Sequence, residues 1–508
     1  MNLIGIDIGT TGAKSVLIND RGKVLASDLQ EYPLSLPHPG WAEQDPEHWV
    51  AATITSLRNL LAKSRVQPSS IAGMALSGQM HGLVCLDKSG AVLRPAILWC
   101  DTRTTAECKL IEKQVGGRSK LIQLASNPAL EGFTLPKLVW VQRNEPSLFK
   151  RTATVLLPKD YVRYRLTGAL GMDISDAAGT LMLDVKGKQW SAPILKALKI
   201  NPSVLPPLGE SPDIAGRITP EAAQLTGLPE GLPVAYGGAD NTCAAVGNGV
   251  IKEGIVAVSI GTSGTVIAPA RQPVRDKLGR AHTFNHSVPG LWYVMGVMQA
   301  AGLSLKWLRD NFGGMERAMA EDTGIDAYEF LAARVGSVPP GSEGLLWLPY
   351  LNGERTPHLD ANARGVLFGV SPRHTKAHVV RAIMEGVVFG LRDSLEIIRG
   401  LGIPVKEIRL TGGGAKSAVW RQMQADIFGQ PVVTINVEEG PAFGAAIIAG
   451  VGTKVFKSFD AAASQIIKVG REIKPIQANV DKYDRQYVLF RDLYVSLKDD
   501  FGKLAKLR

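Results

Sequence analysis

The chain has 508 residues, 45% of them hydrophobic and 20% charged, which predicts two domains of a globular α/β enzyme. Its apolar runs are shorter than the roughly 20 residues that cross a bilayer, and Asp7 interrupts the first run where a secretion signal would stay apolar, so we expect a soluble cytoplasmic protein without membrane contact. The net charge of +10 comes without a basic run interleaved with aromatic residues, so we expect no nucleic-acid partner but a field that attracts phosphorylated ligands.

A turn rich in Gly and Thr joins the first two predicted strands, between the apolar run at 3–8 and the run that begins at Ser15. Its glycines let an anion approach the backbone, and Asp7 at the strand end is a candidate ligand for a divalent cation. A purely structural hairpin is the alternative, because the turn matches neither the P-loop nor the dinucleotide fingerprint. The candidate phosphate-binding residues of this turn are Thr10, Thr11, Gly12 and Lys14.

Polar residues follow the next predicted strands of the first half. The strand at 71–76 leads into Ser77-Gly78-Gln79-Met80-His81-Gly82, and a later strand ends at Asp101. Because ligands bind at the carboxyl ends of strands in α/β folds, Met80, His81 and Asp101 are candidate substrate contacts. A structural histidine in a turn is the alternative for His81.

The middle of the chain is less regular. Helices are predicted at 133–144 and 158–166, each with a proline in its first turn. The polar segment 173–180 is predicted to be a loop. The segment 202–231 contains many prolines and glycines and is predicted to connect two domains.

The N-terminal hairpin recurs about half the chain length later. Ile260-Gly261-Thr262-Ser263-Gly264 repeats the pattern of Ile8-Gly9-Thr10-Thr11-Gly12. Repetition on this scale implies two similar domains that face one another, for which we predict the ranges 1–245 and 246–508. Two such hairpins on facing halves would form a clamp for a polyphosphate. Gly261, Thr262 and Ser263 are therefore candidate phosphate-binding residues.

Asp240 is the best candidate for a catalytic base. It follows a predicted strand and a Gly-rich turn, and Asn241 beside it can orient a hydroxyl group. Transfer of a γ-phosphoryl group requires positioned phosphates, a cation and a residue that accepts the proton of the hydroxyl. The alternative is that Asp240 only caps the following helix.

The second half ends its strands with glycine as well. Gly412-Gly413-Gly414-Ala415 follows a predicted strand and precedes a helix, so a flat base or ribose can lie on bare backbone there. A helix is predicted to begin at Gly302. In the C-terminal tail, an aromatic stripe over 483–497 at helical spacing predicts core packing.

Histidines and cysteines show no metal-binding pattern. Two histidine pairs are spaced i, i+4 but lack the glutamate of H-E-x-x-H and a third ligand, so we interpret them as structural. The four cysteines have no C-x-x-C spacing, and we expect free thiols in a reducing compartment. The residues concerned are His282, His286, His374, His378, Cys85, Cys100, Cys108 and Cys243.

These motifs resemble those of the FGGY carbohydrate kinase family over residues 7–450, nearly the whole chain. The family's first signature is matched by Phe133-x-x-Pro136-Lys137-x-x-Trp140, and the second by Gly365-Val-Leu-Phe-Gly369-Val370 with Ala382-Ile-Met-Glu385 after it. The resemblance implies an α/β fold of two ribonuclease H-like domains of the actin and hexokinase type, facing each other across an interdomain cleft. The first domain would bind the sugar and carry the catalytic base. The second would bind the nucleotide and end in a helical tail.

The motifs at 37–46, 77–82 and 348–358 are similar to those of family members that phosphorylate a ketopentose. The resemblance implies ATP-dependent phosphorylation of D-xylulose at its 5-hydroxyl. It implies Mg²⁺, ATP and a small-molecule sugar as ligands, and a homodimer is possible. One departure is Ala239, where the family often has glycine. The resemblance implies that Asp240 is the base and that Asp7 and Asp240 bind Mg²⁺. The residues implied to contact the sugar are Met80, His81, Asp101, Asp240 and Asn241. Those implied to bind the phosphates are Thr10, Thr11, Gly12, Lys14, Gly261, Thr262 and Ser263, and those implied to bind the nucleoside are Gly302, Lys306, Gly412, Gly413, Gly414 and Ala415.

Two other functions stay open. The first is a kinase for another ketose or polyol, such as ribulose. The second belongs to another class of protein, an actin-like ATPase that hydrolyses ATP to switch a partner.

Overall fold

Two six-stranded β-sheets, one in each half of the chain, organise the part of the protein that the computed structural model describes, residues 1–437 and 439–507. The N-terminal sheet has the strand order Ile214–Arg217, Pro233–Ala239, Ile71–Gly78, Asn2–Ile8, Gly12–Asn19, Val24–Glu31. The C-terminal sheet has the order His282–Asn285, Trp292–Met298, Gly264–Ala270, Gly254–Ile260, Val405–Gly412, Val432–Val433.

The two sheets share one topology. In each, a strand pairs antiparallel with the strand that follows it, the second strand pairs antiparallel with a third, and the first strand also pairs parallel with a later one. Asn2–Ile8 and Gly254–Ile260 hold the equivalent central positions. This duplicated arrangement is the ribonuclease H-like fold, so the predicted fold class is confirmed.

Helices pack on the two sheets, and the chain also forms short two-stranded sheets. The helices are Pro46–Ser64, Thr105–Val115, Arg118–Ala125, Thr134–Asn144, Pro146–Arg151, Pro158–Thr167, Ile174–Ala177, Ala192–Ala197, Pro220–Thr226, Asp240–Gly247, Gly302–Phe312, Gly314–Thr323, Ala327–Val335, Lys376–Gly400, Ala418–Phe428, Gly440–Gly452, Phe459–Ile466 and Gln477–Ala505. The short strands are Glu43–Gln44, Val84–Leu86, Ala96–Ile97, Thr154–Leu156, Met172–Asp173, Leu183–Asp184, Gln189–Trp190, Leu208–Gly209, Leu346–Leu348 and Val366–Phe368. Among these helices, none combines the length and the apolar composition needed to cross a membrane.

Two predictions for the middle of the chain are wrong. Residues 173–180 are not a loop, because the Asp173 side chain accepts a hydrogen bond from the Asp176 backbone N–H at 3.0 Å and begins the helix Ile174–Ala177. Residues 202–231 do not connect the domains. Ile214–Arg217 forms the edge of the N-terminal sheet, and the helix Pro220–Thr226 begins at a proline capped by Thr219.

The aromatic stripe of the C-terminal helix lies in the core, as predicted. Tyr483 and Phe490 are fully buried, and Tyr487 and Tyr494 are nearly so, in the cluster that also contains the long helix Lys376–Gly400. The tail is therefore an integral part of the second half of the molecule.

The helix Gly440–Gly452 joins the two halves. It follows the last strand of the C-terminal sheet but packs over the N-terminal sheet and along the helix Asp240–Gly247. Backbone meets backbone in this contact: a Cβ atom on Gly5 would lie 1.8 Å from the carbonyl oxygen of Ala442, and one on Gly444 would lie 1.7 Å from that of Cys243. Side chains cannot fit at either glycine. The domain ranges 1–245 and 246–508 stay a prediction.

We expect Gly444→Ala to lower the free energy of unfolding by about 1–3 kcal/mol, because the added methyl group meets backbone that cannot rotate away. Urea unfolding followed by circular dichroism measures the change. Gly502→Ala is the matched control, since Gly502 lies inside the helix Gln477–Ala505 and a Cβ atom added there would have nothing within 4 Å. It should be neutral or stabilise by about 1 kcal/mol. Equal effects of the two substitutions would contradict the packing argument.

Candidate active site

Asp7 and Asp240 meet at one edge of the N-terminal sheet. The strands Asn2–Ile8, Ile71–Gly78 and Pro233–Ala239 run parallel to one another, so their carboxyl ends share this edge. Asp7 lies at the end of the central strand, and Asp240 follows the last residue of the outer one. Ligands of open α/β sheets bind at such strand ends.

The surroundings of the two carboxyl groups raise the pKa of both above its ordinary value. Burial raises the pKa of Asp7 to about 6, opposed by the Ser77 hydroxyl and the Lys14 ammonium. Burial and then the charge of Asp7 raise the pKa of Asp240 to about 7. The two carboxyl groups are therefore close enough to repel each other. A pKa near neutrality suits a group that accepts a proton at physiological pH.

Asp240 is not a helix cap. The N-cap position of the helix Asp240–Gly247 is Ala239, and the Asp240 carboxylate accepts a hydrogen bond from the Asn241 backbone N–H at 2.6 Å. The capping alternative is therefore wrong, and the second carboxylate oxygen is left for other partners. Ala239 has φ −56° and ψ 146°, a conformation open to any residue, so the glycine expected from the family is not needed here.

The carboxyl pair suits Mg²⁺. Asp7 Oδ1 is buried and has no hydrogen-bond partner within the described ranges. Mg²⁺ prefers one or two carboxylates, with water and substrate phosphates completing its octahedron. In keeping with so sparse a protein ligand set, residues 1–437 and 439–507 contain no cluster of three or more His, Cys, Asp or Glu that could hold a metal.

His81 has one ring nitrogen engaged with the protein backbone. Its Nδ1 lies 2.6 Å from the carbonyl oxygen of Gly179, and because a carbonyl only accepts, Nδ1 carries the proton and Nε2 is left as an acceptor. Burial, and after it the charge of Lys137, holds the pKa of His81 well below its usual range, so the ring is neutral. Asn241 Nδ2 lies 3.4 Å from the sulfur of Met80, which brings three of the predicted sugar contacts together.

The signature residue Lys137 holds the turn that carries His81. Its side chain is fully buried and donates to the carbonyl oxygens of His81 at 3.3 Å and Phe133 at 3.1 Å, and also to that of Gly132. Thr134 donates its hydroxyl to the His81 carbonyl as well, at 3.1 Å. His81 has φ 70°, which is uncommon for a residue with a side chain, and these donors stabilise that conformation.

Asp101 forms its own contacts with the protein, and its charge also acts on Lys137. Its carboxylate is 1% exposed, accepts the Ala42 backbone N–H at 2.6 Å and pairs with Arg103, whose guanidinium lies 3.5 Å from the centre of the Trp41 ring. A direct contact between Asp101 and the substrate stays a prediction, because the contacts present join Asp101 to protein groups.

The two Gly-Thr hairpins are similar but not identical. In the first, Ile8 pairs with Ala13, whereas in the second Ile260 pairs with Gly264, so the second loop is one residue shorter although the sequences align without a gap. Thr11 and residues 261–263 are exposed, as a phosphate-binding role requires.

The predicted nucleoside residues lie beside the second hairpin. The Gly302 backbone N–H donates to the carbonyl oxygen of Gly261 at 2.8 Å, and a Cβ atom on Gly302 would lie 2.4 Å from that oxygen. Gly412 has φ 73° and adjoins Ile260, and the 3₁₀ turn Gly413–Ala415 follows it. The structure therefore brings these glycines to one place.

Both predicted phosphate or nucleoside lysines have ion-pair partners. Lys14 pairs with Glu439 at 2.6 Å across the two halves of the chain, and Lys306 pairs with Asp310 one helical turn further on. Either lysine would have to leave its partner, or share it, to contact ATP. Their roles in binding stay predictions.

Sequence reasoning missed two glutamines and an arginine. Gln79 donates to the Gly9 carbonyl oxygen at 3.1 Å and accepts from the Thr10 hydroxyl, and Gln44 donates to the Thr10 carbonyl oxygen at 2.7 Å. Both glutamines stabilise the first hairpin through these hydrogen bonds. Both lie in motifs from which only other residues were predicted to bind a ligand. Arg355, in the motif at 348–358, extends from the second half of the chain to the Gly132 backbone.

The four histidines of the i, i+4 pairs contact protein groups. His282 Nδ1 lies 3.1 Å from Asn127 Oδ1, and His286 Nε2 lies 3.1 Å from the Val250 carbonyl oxygen. Burial lowers the pKa of His282 to about 3 and that of His286 to about 4. His374 and His378 each accept a backbone N–H through Nδ1. These contacts give each ring a structural role.

The neutral His286 makes stability depend on pH. Its folded pKa of about 4 lies below the unfolded value of about 6.5, so the unfolded chain binds the proton first and stability is lost as the pH falls below about 6.5. At about pH 5 the loss is about 2 kcal/mol. In His286→Asn, which keeps an acceptor for the Val288 N–H, the loss of unfolding free energy between about pH 7.5 and 5 should shrink by that amount. Urea titrations at both pH values measure it, and the exposed His48→Asn should retain the parent pH dependence.

Comparison with known proteins gives matches along almost the whole chain. Residues 2–247 match the N-terminal domain of the FGGY family of carbohydrate kinases, and residues 256–453 match its C-terminal domain. A protein of Bacillus subtilis named xylulose kinase is 45% identical over 497 residues, 98% of this chain and 97% of its own. The crystal structure of xylulose kinase from Rhodospirillum rubrum superposes with a TM-score of 0.90 at 32% identity, covering 99% of this chain and 100% of that one. A gluconokinase of Bacillus subtilis is 32% identical over 99% of this chain and 97% of its own.

Proposed function

The chain belongs to the FGGY family of carbohydrate kinases, and on that premise we propose that it transfers the γ-phosphoryl group of ATP to the 5-hydroxyl of D-xylulose, giving D-xylulose 5-phosphate. The single observation that carries the reaction type is the position of Asp240 beside Asp7 at the strand ends, with a pKa of about 7. The relatives named xylulose kinase, at 38–45% identity over nearly the full chain, support the choice of sugar.

Asp240 acts as the base in this proposal. Its carboxylate accepts the proton of the sugar hydroxyl while that oxygen attacks the γ-phosphorus, and the bridging oxygen of ADP leaves on the opposite side. The Asn241 amide and His81 Nε2 orient the sugar through hydrogen bonds. The hairpin loops at 9–12 and 261–264, in which Thr11 and residues 261–263 are exposed, hold the phosphates through backbone N–H groups. Gly302 and the turn at 412–415 hold the nucleoside.

Asp7 and Asp240 would bind Mg²⁺ in this proposal. The ion supplies positive charge that offsets the charge on the transferring phosphoryl group. The protein's part is to keep two acidic oxygens close together at the strand ends, where burial and their mutual repulsion favour the binding of a cation or a proton.

The place and assembly of the enzyme belong to the same proposal. We propose a cytoplasmic location, which the four free cysteines support because such thiols persist in a reducing compartment. For the assembly, we propose that two copies of the chain can form a homodimer. Exposed Val488, Leu489 and Val495 on the C-terminal helix are the surface that such contact would cover.

A coupled assay of ADP release with D-xylulose, D-ribulose, glycerol and gluconate tests the substrate. We expect kcat/KM for D-xylulose to exceed each of the others by at least about tenfold, because a site built around one hydroxyl pattern leaves its polar groups unpaired with another. Preference for ribulose or glycerol would show that the proposed substrate is wrong but that the reaction type is right. ADP release that no sugar stimulates would instead favour an actin-like ATPase.

Asp240→Asn tests the base. We expect kcat to fall by about 10²–10⁴-fold while the dissociation constants of ATP and D-xylulose stay within about threefold, because the amide keeps the shape but accepts no proton. Isothermal titration and the ADP-release assay give the two readouts. Asp500→Asn, on the exposed face of the C-terminal helix, is the matched control and should turn over like the parent enzyme. Near-normal turnover of Asp240→Asn would overturn the role.

A further inference from the structure

The loop at 349–360 is fixed at its base by hydrogen bonds to the C-terminal sheet. The Thr356 backbone N–H donates to the Val297 carbonyl oxygen at 3.0 Å, and the Thr356 hydroxyl accepts from the Val297 N–H at 3.0 Å. Glu354 and Asp360 exchange two backbone hydrogen bonds of 2.8 Å each. The backbone around Arg355 is therefore held on both sides.

The C-terminal helix holds the far side of the same loop. The His358 ring stacks on Tyr494 with 3.4 Å between the ring centroids, and His358 Nε2 lies 3.1 Å from the Tyr350 hydroxyl. The Tyr494 hydroxyl donates to Asp360 Oδ2 at 3.1 Å. A loop held at so many points presents its outward side chains in fixed directions.

The Arg355 side chain extends from this loop to the turn that carries His81. Its Nη2 lies 3.5 Å from the position that a Cβ atom on Gly132 would take, and the Gly132 carbonyl oxygen is one of the acceptors of Lys137. The positive charge of Arg355 contributes to lowering the pKa of His81 and that of Lys137. The guanidinium thus lies at the His81 end of the cleft.

Within residues 1–437 and 439–507, no group forms a hydrogen bond or a close ion pair with this guanidinium. Burial lowers the pKa of Arg355, and the charge of Glu131 opposes this effect only in part. The neighbouring Glu354 accepts the Gln299 and Arg355 backbone N–H groups instead, and burial raises its pKa to about 8, so its carboxyl group is largely neutral at pH 7. Glu131 accepts the Thr105 hydroxyl. A half-buried cation without hydrogen-bond acceptors is costly, which favours a ligand that supplies them.

We propose that Arg355 binds the end of the sugar remote from the phosphorylated hydroxyl, donating to the C1 hydroxyl and the C2 carbonyl oxygen of the ketose. The site residues follow one another from Asp240 through Asn241, which contacts Met80, to His81 and then Arg355. A ketopentose whose 5-hydroxyl lies at Asp240 therefore directs its other end towards Arg355. The planar guanidinium offers two parallel donors, which match two oxygens on adjacent carbons. This inference rests on the proposed function.

The test compares Arg355→Met and Arg355→Lys with the parent enzyme, using D-xylulose and 1-deoxy-D-xylulose, which lacks the C1 hydroxyl. We expect Arg355→Met to raise the KM for D-xylulose by about 10–100-fold with the KM for ATP unchanged. The parent should discriminate against the deoxy sugar at least about tenfold more strongly than Arg355→Met does, because the variant has already lost the partner of that hydroxyl. Arg355→Lys keeps the charge without the planar pair of donors and should fall between the two.

Thermal unfolding separates binding from structural support. A residue that only stabilised the loop would lower the melting temperature when changed, whereas loss of an unpaired cation should leave it unchanged or raise it. Arg364→Met is the matched control, because that guanidinium donates to the Ala361 and Ala363 carbonyl oxygens at the surface of the same region. Its KM for D-xylulose should equal that of the parent enzyme.

Two failures are distinguishable. A parent enzyme that does not phosphorylate D-xylulose contradicts the proposed function. A parent that does so, together with an Arg355→Met variant of unchanged KM or of unchanged discrimination against the deoxy sugar, contradicts the role of Arg355 alone.

Discussion

The contact of bare backbone between the helices Asp240–Gly247 and Gly440–Gly452 is the constraint on which the site depends. Gly444 meets the carbonyl of Cys243, and the same helix meets the central strand of the N-terminal sheet at Gly5. One element thus touches both the strand that ends beside Asp7 and the helix that begins at Asp240. Since close-packed interiors transmit small displacements, the separation of the two carboxyl groups depends on a helix that lies about 200 positions after Asp240 and more than 430 after Asp7.

The local patterns of the chain predicted two similar α/β domains and the residues of the candidate site, whereas the ribonuclease H-like fold class followed from the resemblance to a family. The two Gly-Thr turns, the strand ends at Asp7 and Asp240 and the glycines at 412–414 are each readable within about ten residues, because turn chemistry and strand periodicity are local properties. Their repetition then implied the duplicated fold. Asn241, Met80 and His81 could be predicted as well, because residues that come directly after a strand lie at the same end of the sheet.

What sequence reasoning missed depends on partners distant in the chain. The prolines of 202–231 suggested a linker, but Pro202 begins a 3₁₀ turn and Pro220 begins a helix. The strand at 214–217 pairs with the edge of a sheet, which no local pattern reveals. The two hairpins align residue for residue, yet their loops differ by one residue because strand pairing decides where a loop closes. Arg355 was visible only as part of a polar loop, since its significance lies in having no partner, which no sequence displays.

The cleft has an acidic end and a basic end. Asp7 and Asp240 repel each other at one end, and the unpaired Arg355 lies at the other, near Lys137, whose pKa burial lowers to about 7. Each end costs stability in the free protein, as functional sites commonly do. In our proposal, this difference in charge orients the sugar with its reacting hydroxyl at the acidic end, because the opposite orientation would leave Arg355 without acceptors. In our proposal, an acidic sugar could also place its carboxylate on Arg355, because a guanidinium donates two parallel hydrogen bonds to a carboxylate. On the same proposal, the groups around Arg355 would select between neutral and acidic sugars, because each acceptor that they supply to the guanidinium reduces the advantage of a carboxylate.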